Sequence, residues 1–212
     1  MFAINHAATA LIIKRVFRNV PLFWILISVQ CMEVLWVILN YLGIEKTSTR
    51  DEVRYVGDIH LRYMPYSHSV TTMTGVALLA WLVIGVGFQQ PSIGLAAGLG
   101  ILSHLFLDLI THDEDVALCP FPGSPKIGLG LYPRMPVRAF FLELGYGFLC
   151  WRIYGGGLPL LIAILLFNAA NLPMFFPVMP ALMQRLTHRP LLITTVVLIQ
   201  IVVTLVVVGL LS

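Results

Sequence analysis

An all-α fold, a polytopic transmembrane bundle of about six spanning helices plus a short N-terminal helix, is what this sequence predicts, and three observations predict it. Hydrophobic residues make up 58% of the 212 and charged residues only 11%. The mean hydropathy is +0.90, far above that of a water-soluble globular domain. Apolar runs near the length needed to cross hydrocarbon, roughly 20 residues at ~1.5 Å each, also follow one another along almost the whole chain.

Taken in order, Ala3–Phe17 is apolar but short for a span and ends in Lys14, Arg15 and Arg18. Its charges follow the apolar run and no small-residue cleavage pattern is present, so it reads as a retained helix rather than a secretory signal. Pro21–Gly43 is the first clear span. A polar excursion, residues 44–66, leads to the span Ser69–Phe88, a tight turn near 89–91 and the span Ser92–Ile110. A second excursion, residues 113–136, is rich in Pro and Gly and cannot be continuous helix. Val137–Tyr154 begins after Pro136, Leu158–Met179 is interrupted by Pro173 and Pro177, and Leu191–Leu211 closes the chain.

No internal repeat or low-complexity linker divides the sequence, which reads as one membrane domain over 1–212. Residues 1–154 form the core that carries a site, and 155–212 add two C-terminal helices. Alternating helices place the N-terminus, both excursions and the 180–190 loop on one side. That side holds nine Lys and Arg (Lys46, Arg50, Arg54, Arg62, Lys126, Arg134, Arg138, Arg185, Arg189) against four (Lys14, Arg15, Arg18, Arg152) on the other, which predicts a cytoplasmic site face.

A net charge of +3 without a Lys/Arg run interleaved with aromatics gives no footprint for nucleic acid. Cys31, Cys119 and Cys150 form no CxxC pair and read as packing residues. The partners expected are the lipid bilayer and a lipid or lipid-linked substrate.

Ionisable residues inside spans carry the functional signal, because each costs at least ~2–3 kcal/mol to insert. In 103-SHLFLDLITHDED-115, His104, Asp108 and His112 advance by about 40° per four residues and lie on one helical stripe. Imidazole and carboxylate one turn apart can present ligand atoms to one metal ion. In 64-MPYSHSV-70, Pro65 and Ser67 are helix-start residues that put His68 in the first turn, beside the end of the helix holding the stripe. Asn5 can cap a helix beginning at His6. His6 and Glu33 each stand twelve residues from the Arg18–Pro21 turn, so an antiparallel pair brings them to one depth.

His6, Glu33, His68, His104 and Asp108 are therefore the expected metal ligands. Zinc is the expected ion, with manganese or iron as alternatives for such a His/carboxylate set, and the cation would neutralise the buried carboxylates. His112, half solvated, and Asp58 are the candidate general acid/base residues. Lys126, in the Gly-rich second excursion, is a candidate contact for an anionic headgroup. His60, Asp115 and Glu143 are lesser candidates, and His188 reads as an ordinary loop residue.

The segments NHAATALIIKRV, LWVILNYLGIE, YMPYSHSV, SHLFLDLITHDED and PKIGLGLY together resemble the YdjM-like family of bacterial inner-membrane, membrane-bound metal-dependent hydrolases. The resemblance covers about residues 4–154. Through a distant similarity to zinc-dependent phospholipase C and P1-type nucleases, it implies phosphoester hydrolysis at the inner membrane. His6, His68, His104 and Asp108 match its metal-binding pattern, whereas Glu33 stands where the family pattern has Asp.

The function expected is hydrolysis of a phosphoester or other ester of a lipid-linked or membrane-delivered substrate by metal-activated water. Metal-ion binding or transport is the alternative, although the ligands gather at one end of the bundle rather than tracing a path through it. A di-iron lipid oxidase ranks lower, since such enzymes draw on more histidines than the six present.

Overall fold

The computed structural model describes the backbone of residues 1–212 and all side chains except those of Leu61 and Arg62. The first helix, α1 (Ala3–Val16), is buried along nearly its whole length. Ala3, Ala7, Ala8 and Ala10 keep its girth small, so α2 (Leu22–Tyr41), α4 (Pro91–Thr111), α6 (Pro136–Tyr154), α7 (Leu158–Ala170) and α9 (Pro190–Leu211) all pack against it. The short N-terminal helix is thus the central pillar of the bundle.

Four helices are long and apolar enough to cross a membrane: Leu22–Tyr41, Val70–Gly87, Pro91–Thr111 and Pro190–Leu211. They coincide with the four clear spans of the sequence. Large apolar side chains such as Leu79, Leu82, Val86, Ile199, Val202 and Val206 stand on their outer faces, the surface that lipid covers in a membrane protein. The six spans expected are not reproduced in that form. Arg138, Glu143 and Arg152 make α6 less apolar than the others, and α7 stops after 13 residues, where a 3₁₀ turn at Leu172–Met174 carries Pro173. A short helix α8 (Pro180–Gln184) then leads into α9.

Helix α3 (Val70–Ala80) continues as a wider π-helical stretch, Trp81–Gly87, and returns as α4. The two meet backbone to backbone: a Cβ on Gly94 would lie 2.6 Å from the amide nitrogen of Gly85, and one on Gly98 would lie 3.1 Å from the carbonyl oxygen of Ala77. Small residues four apart allow this approach, as they do between membrane helices generally.

Both polar excursions contain strands. In the first, β1 (Lys46–Thr49) pairs antiparallel with β2 (Ile59–Tyr63), and a 3₁₀ turn at Val56–Asp58 lies between them. Alternating and β-branched residues in KTST and IHLRY suit a half-covered ribbon. In the second, β3 (Val116–Ala117) pairs with β4 (Lys126–Ile127), and a single turn, α5 (Leu131–Arg134), follows. The stretch between β4 and α5 closes the end of α4: Leu129 and Gly130 donate backbone bonds of 2.8 and 2.7 Å to the carbonyls of Leu109 and His112. Gly128 is required there, because any Cβ would run into the carbonyl of Asp113.

Candidate metal centre

Three elements build the cluster. Helix α4 supplies His104 and Asp108 one turn apart on its buried face. The Nδ1 of His104 lies 2.9 Å from the carbonyl oxygen of Val29 on α2, so the ring donates there and Nε2 faces inward. Helix α2 supplies Glu33. His68 comes from the link between β2 and α3, just before the cap residue Ser69 rather than inside the first turn, since Ser69 itself accepts from the amide of Thr72.

The ligand atoms of Glu33, His68, His104 and Asp108 all lie within 4.8 Å of one another. Their cross distances decide what holds them together. His68 Nε2 is 3.3 Å from Glu33 Oε2 and 3.3 Å from Asp108 Oδ2, while His104 Nε2 is 3.4 and 3.1 Å from the same two oxygens. Both imidazole nitrogens and Asp108 Oδ2 are buried without a hydrogen-bond partner. A tetrahedral ion with bonds of ~2.0–2.1 Å has ligand-to-ligand edges of about 3.3 Å. Four nitrogen-to-oxygen edges of that size therefore suit a small divalent cation better than they suit direct hydrogen bonds, and the group can hold a metal. Buried carboxylates also need positive charge nearby. At His68, burial opposes protonation, but Asp108 and Glu33 outweigh it and lift the pKa to about 10.

The other oxygen of Asp108 faces a second set of groups. His6 Nε2 lies 3.4 Å and His112 Nε2 3.8 Å from Oδ1, and the amino nitrogen of Met1 lies 2.7 Å away. The His6 ring stacks on that of His104 at 3.9 Å between centroids, with neither of its nitrogens bonded. His6 is thus brought to the cluster through Asp108 and His104, outside the four converging ligand atoms. Burial lowers the pKa of His112 to about 4, although its side chain keeps 18% of its surface accessible.

The remaining sequence candidates fall elsewhere. Asp58 is taken up by its own loop, accepting from the amides of Arg54 and Tyr55 at 2.9 and 3.3 Å and pairing with Arg50 at 3.1 Å. It faces a surface depression lined by residues 48–54 rather than the cluster. Lys126 sits exposed in β4 opposite Ala117. His188 is an exposed loop residue whose amide donates to Thr49. Asn5 does not cap α1, which begins at Ala3; its amide donates 2.7 Å to Glu143 and 3.0 Å to Asn168. Glu143 also accepts from the hydroxyl of Tyr132, so it anchors a second buried polar network beside the first.

Two supporting groups escaped sequence reasoning. Ser67 Oγ lies 2.7 Å from His68 Nδ1 and donates 2.5 Å to Glu45, whose carboxylate also accepts from the amides of Tyr66 and Ser67 at 2.9 Å each. Glu45 is buried, an unusual cost for an acid unless it fixes something. Tyr132 is the second, and it lines a cavity of about 130 Å³ whose wall also includes Glu33, His112, Trp36, Ile193 and Val197. Helix α9 therefore walls the cavity and belongs to the same bundle as the cluster. Glu33 keeps 20% of its side chain accessible, while His68, His104 and Asp108 keep 2% or less.

Compared with family models, with curated proteins and with solved structures, the chain gives no match.

Proposed function

We propose that this membrane protein is a metal-dependent hydrolase that acts on a phosphoester or other ester of a lipid-linked or membrane-delivered substrate. The observation that carries this reading is the convergence of ligand atoms from Glu33, His68, His104 and Asp108, three of these residues buried, with four nitrogen-to-oxygen distances of 3.1–3.4 Å and with Glu33 lining a cavity. Zinc fits the His₂-carboxylate₂ donor set and those spacings best, with manganese and iron as rivals. A cation held there supplies Lewis acidity, lowering the pKa of a water and polarising the ester oxygen.

The protein's own groups do the rest. Glu33, His68, His104 and Asp108 hold the ion, and His6 buttresses His104 and Asp108. His112 lines the cavity 3.8 Å from Asp108 and is the candidate to relay a proton. Glu33 is the ligand that the cavity reaches, so a substrate's ester group enters from its side. On this reading the YdjM-like motifs point to the bacterial inner membrane, the apolar runs to six crossings, and the Lys and Arg balance to a site facing the cytoplasm.

Elemental analysis of the purified protein tests the reading. Stoichiometric zinc in the wild type, lost in His104→Ala and Asp108→Ala, is the expected result, and a metal-free wild type sinks it. Turnover of ester or phosphoester by the loaded protein in detergent then separates a hydrolase from a metal carrier, which would hold the ion and turn over nothing.

A further inference from the structure

The end of the bundle away from the metal cluster carries a concentration of positive charge. Lys14, Arg15 and Arg18, around the turn from α1 to α2, line a depression of about 400 Å³ with the Gly155–Gly157 turn and the end of α9. That size lies within the range of small-molecule sites. We propose that this depression binds the phosphate headgroup of an anionic glycerophospholipid, drawn from the leaflet away from the cluster. Such binding is independent of what the cluster does.

Charge argues first. No Asp or Glu occurs in residues 1–32, 59–107 or 144–212, so the helices that meet at this end bring no acidic side chain to it. Arg152, exposed in the last turn of α6, adds a fourth cation beside the depression. Even with a terminal carboxylate on Ser212, the lining holds three cations against one anion. Helices α1, α6 and α9 end here while α2 and α7 begin, so their terminal half-charges largely cancel. Lys14 Nζ donates to the carbonyls of Arg18 and Val20 at 2.6 and 2.8 Å, which fixes the turn and leaves one N–H of the ammonium unused. Arg15 and Arg18 are exposed, and their guanidinium groups have no partner within the protein. Two free guanidinium forks beside an ammonium match the geometry and charge of a phosphodiester.

The surroundings select a lipid over a soluble anion. Phe23 and Trp24 are exposed at the start of α2, and Trp151 and Tyr154 are partly exposed at the end of α6. Aromatic residues of this kind mark the headgroup level of a bilayer. Trp151 Nε1 donates 3.0 Å to the carbonyl of Gly157, which ties this girdle to the turn that lines the depression. Next to the depression along the chain, α7 and α9 carry exposed Leu158, Ile162, Val206 and Leu210. A lipid with its phosphate among the three cations thus has apolar side chains for its acyl chains to cover, and a free phosphate gains nothing from them.

The test uses the full-length protein in a neutral maltoside detergent, with bound lipid counted by native mass spectrometry. Dioleoyl phosphatidylglycerol is expected to bind about tenfold or more tighter than dioleoyl phosphatidylcholine. In the wild type, the anionic lipid alone should slow amide hydrogen exchange over residues 17–20 and 155–158. Arg15→Gln combined with Arg18→Gln should weaken phosphatidylglycerol binding by about thirtyfold, the worth of two cations at an anionic headgroup. Arg185→Gln combined with Arg189→Gln makes the same charge change before α9, at the cluster's end, and should leave binding intact. Equal affinity for the two lipids overturns the proposal, as does an equal loss in both double variants, which would reduce the effect to net charge. Displacement of the lipid by millimolar inorganic phosphate also overturns it, since the site would then serve a soluble anion. Should the first double variant not fold, the wild-type exchange decides: slowing confined to those two segments supports the site, and slowing elsewhere or nowhere overturns it.

Discussion

Glu45 and Ser67 show how a ligand histidine is aimed. The Glu45 carboxylate fixes the Ser67 hydroxyl as a donor, which leaves that oxygen's lone pair to accept Nδ1–H of His68 and turns Nε2 toward Glu33 and Asp108. Such partners are worth ~10–100-fold in metal affinity at comparable sites. Ser67→Ala should therefore weaken zinc binding by about that factor in competition with a chromophoric chelator, while the far-UV circular dichroism and melting temperature of the chelated protein stay unchanged. Unchanged affinity would show that His68 needs no such support. At this scale, the helical repeat made His104 and Asp108 legible, and span lengths brought Glu33 and His6 to their depth. Glu45 left no such trace, because it reaches Ser67 across the β1–β2 ribbon and no periodic spacing records that. Asn5 was misleading for a related reason: a polar residue ahead of an apolar run looks like a cap, and only the position of Glu143 on another helix explains it.

Among the elements, the α3–α4 hairpin matters most to the site, since it holds the entry of His68 against the exit of His104 and Asp108. At Gly94 its backbones meet closely, since a Cβ there would stand 2.6 Å from the backbone nitrogen and 2.8 Å from the Cα of Gly85. Backbone atoms cannot step aside as a side-chain tip can, so Gly94→Val should destabilise by at least the ~1–3 kcal/mol of core overpacking. A lower melting temperature in detergent would register this. Gly145→Val, on an open face of α6 with nothing within 4 Å, should stay within about 0.5 kcal/mol of wild type. Equal melting of the two variants would mean that the hairpin can part without loss. The long apolar helices were the readily legible elements, their ends falling within a residue or two of the hydropathy limits. The strands were not, because β3 and β4 are two residues each, too short for alternation to register.

For the whole molecule, the alternation of helices that the sequence implied has a geometric counterpart. Lys14, Arg15 and Arg18 gather with Tyr154, Gly155–Gly157 and the last residues of α9 around one depression. At the other end, the amide of Val53 donates to Thr187, that of His188 to Thr49, and Gln184 reaches Glu52, so the first excursion and the loop before α9 share a face with the cluster. What was not legible is that α1 would stand at the centre and α9 would wall the cavity: both follow from which apolar faces meet, and a uniformly apolar helix does not announce its partners. The two-ended arrangement makes a direct prediction. In a Cys31→Ser, Cys150→Ser background, a membrane-impermeant maleimide should reach the native Cys119, in the second excursion, from one side of the bilayer only. Gly157→Cys, where an added Cβ meets nothing closer than Pro159 at 3.6 Å, should react from the opposite side. With the cluster toward the cytoplasm, intact bacteria protect Cys119 and expose the residue introduced at 157, and inverted vesicles exchange the two. Labelling of both positions from one side would break the alternation. The reverse assignment would leave it standing and move the site to the outer face, with its substrate then drawn from the outer leaflet.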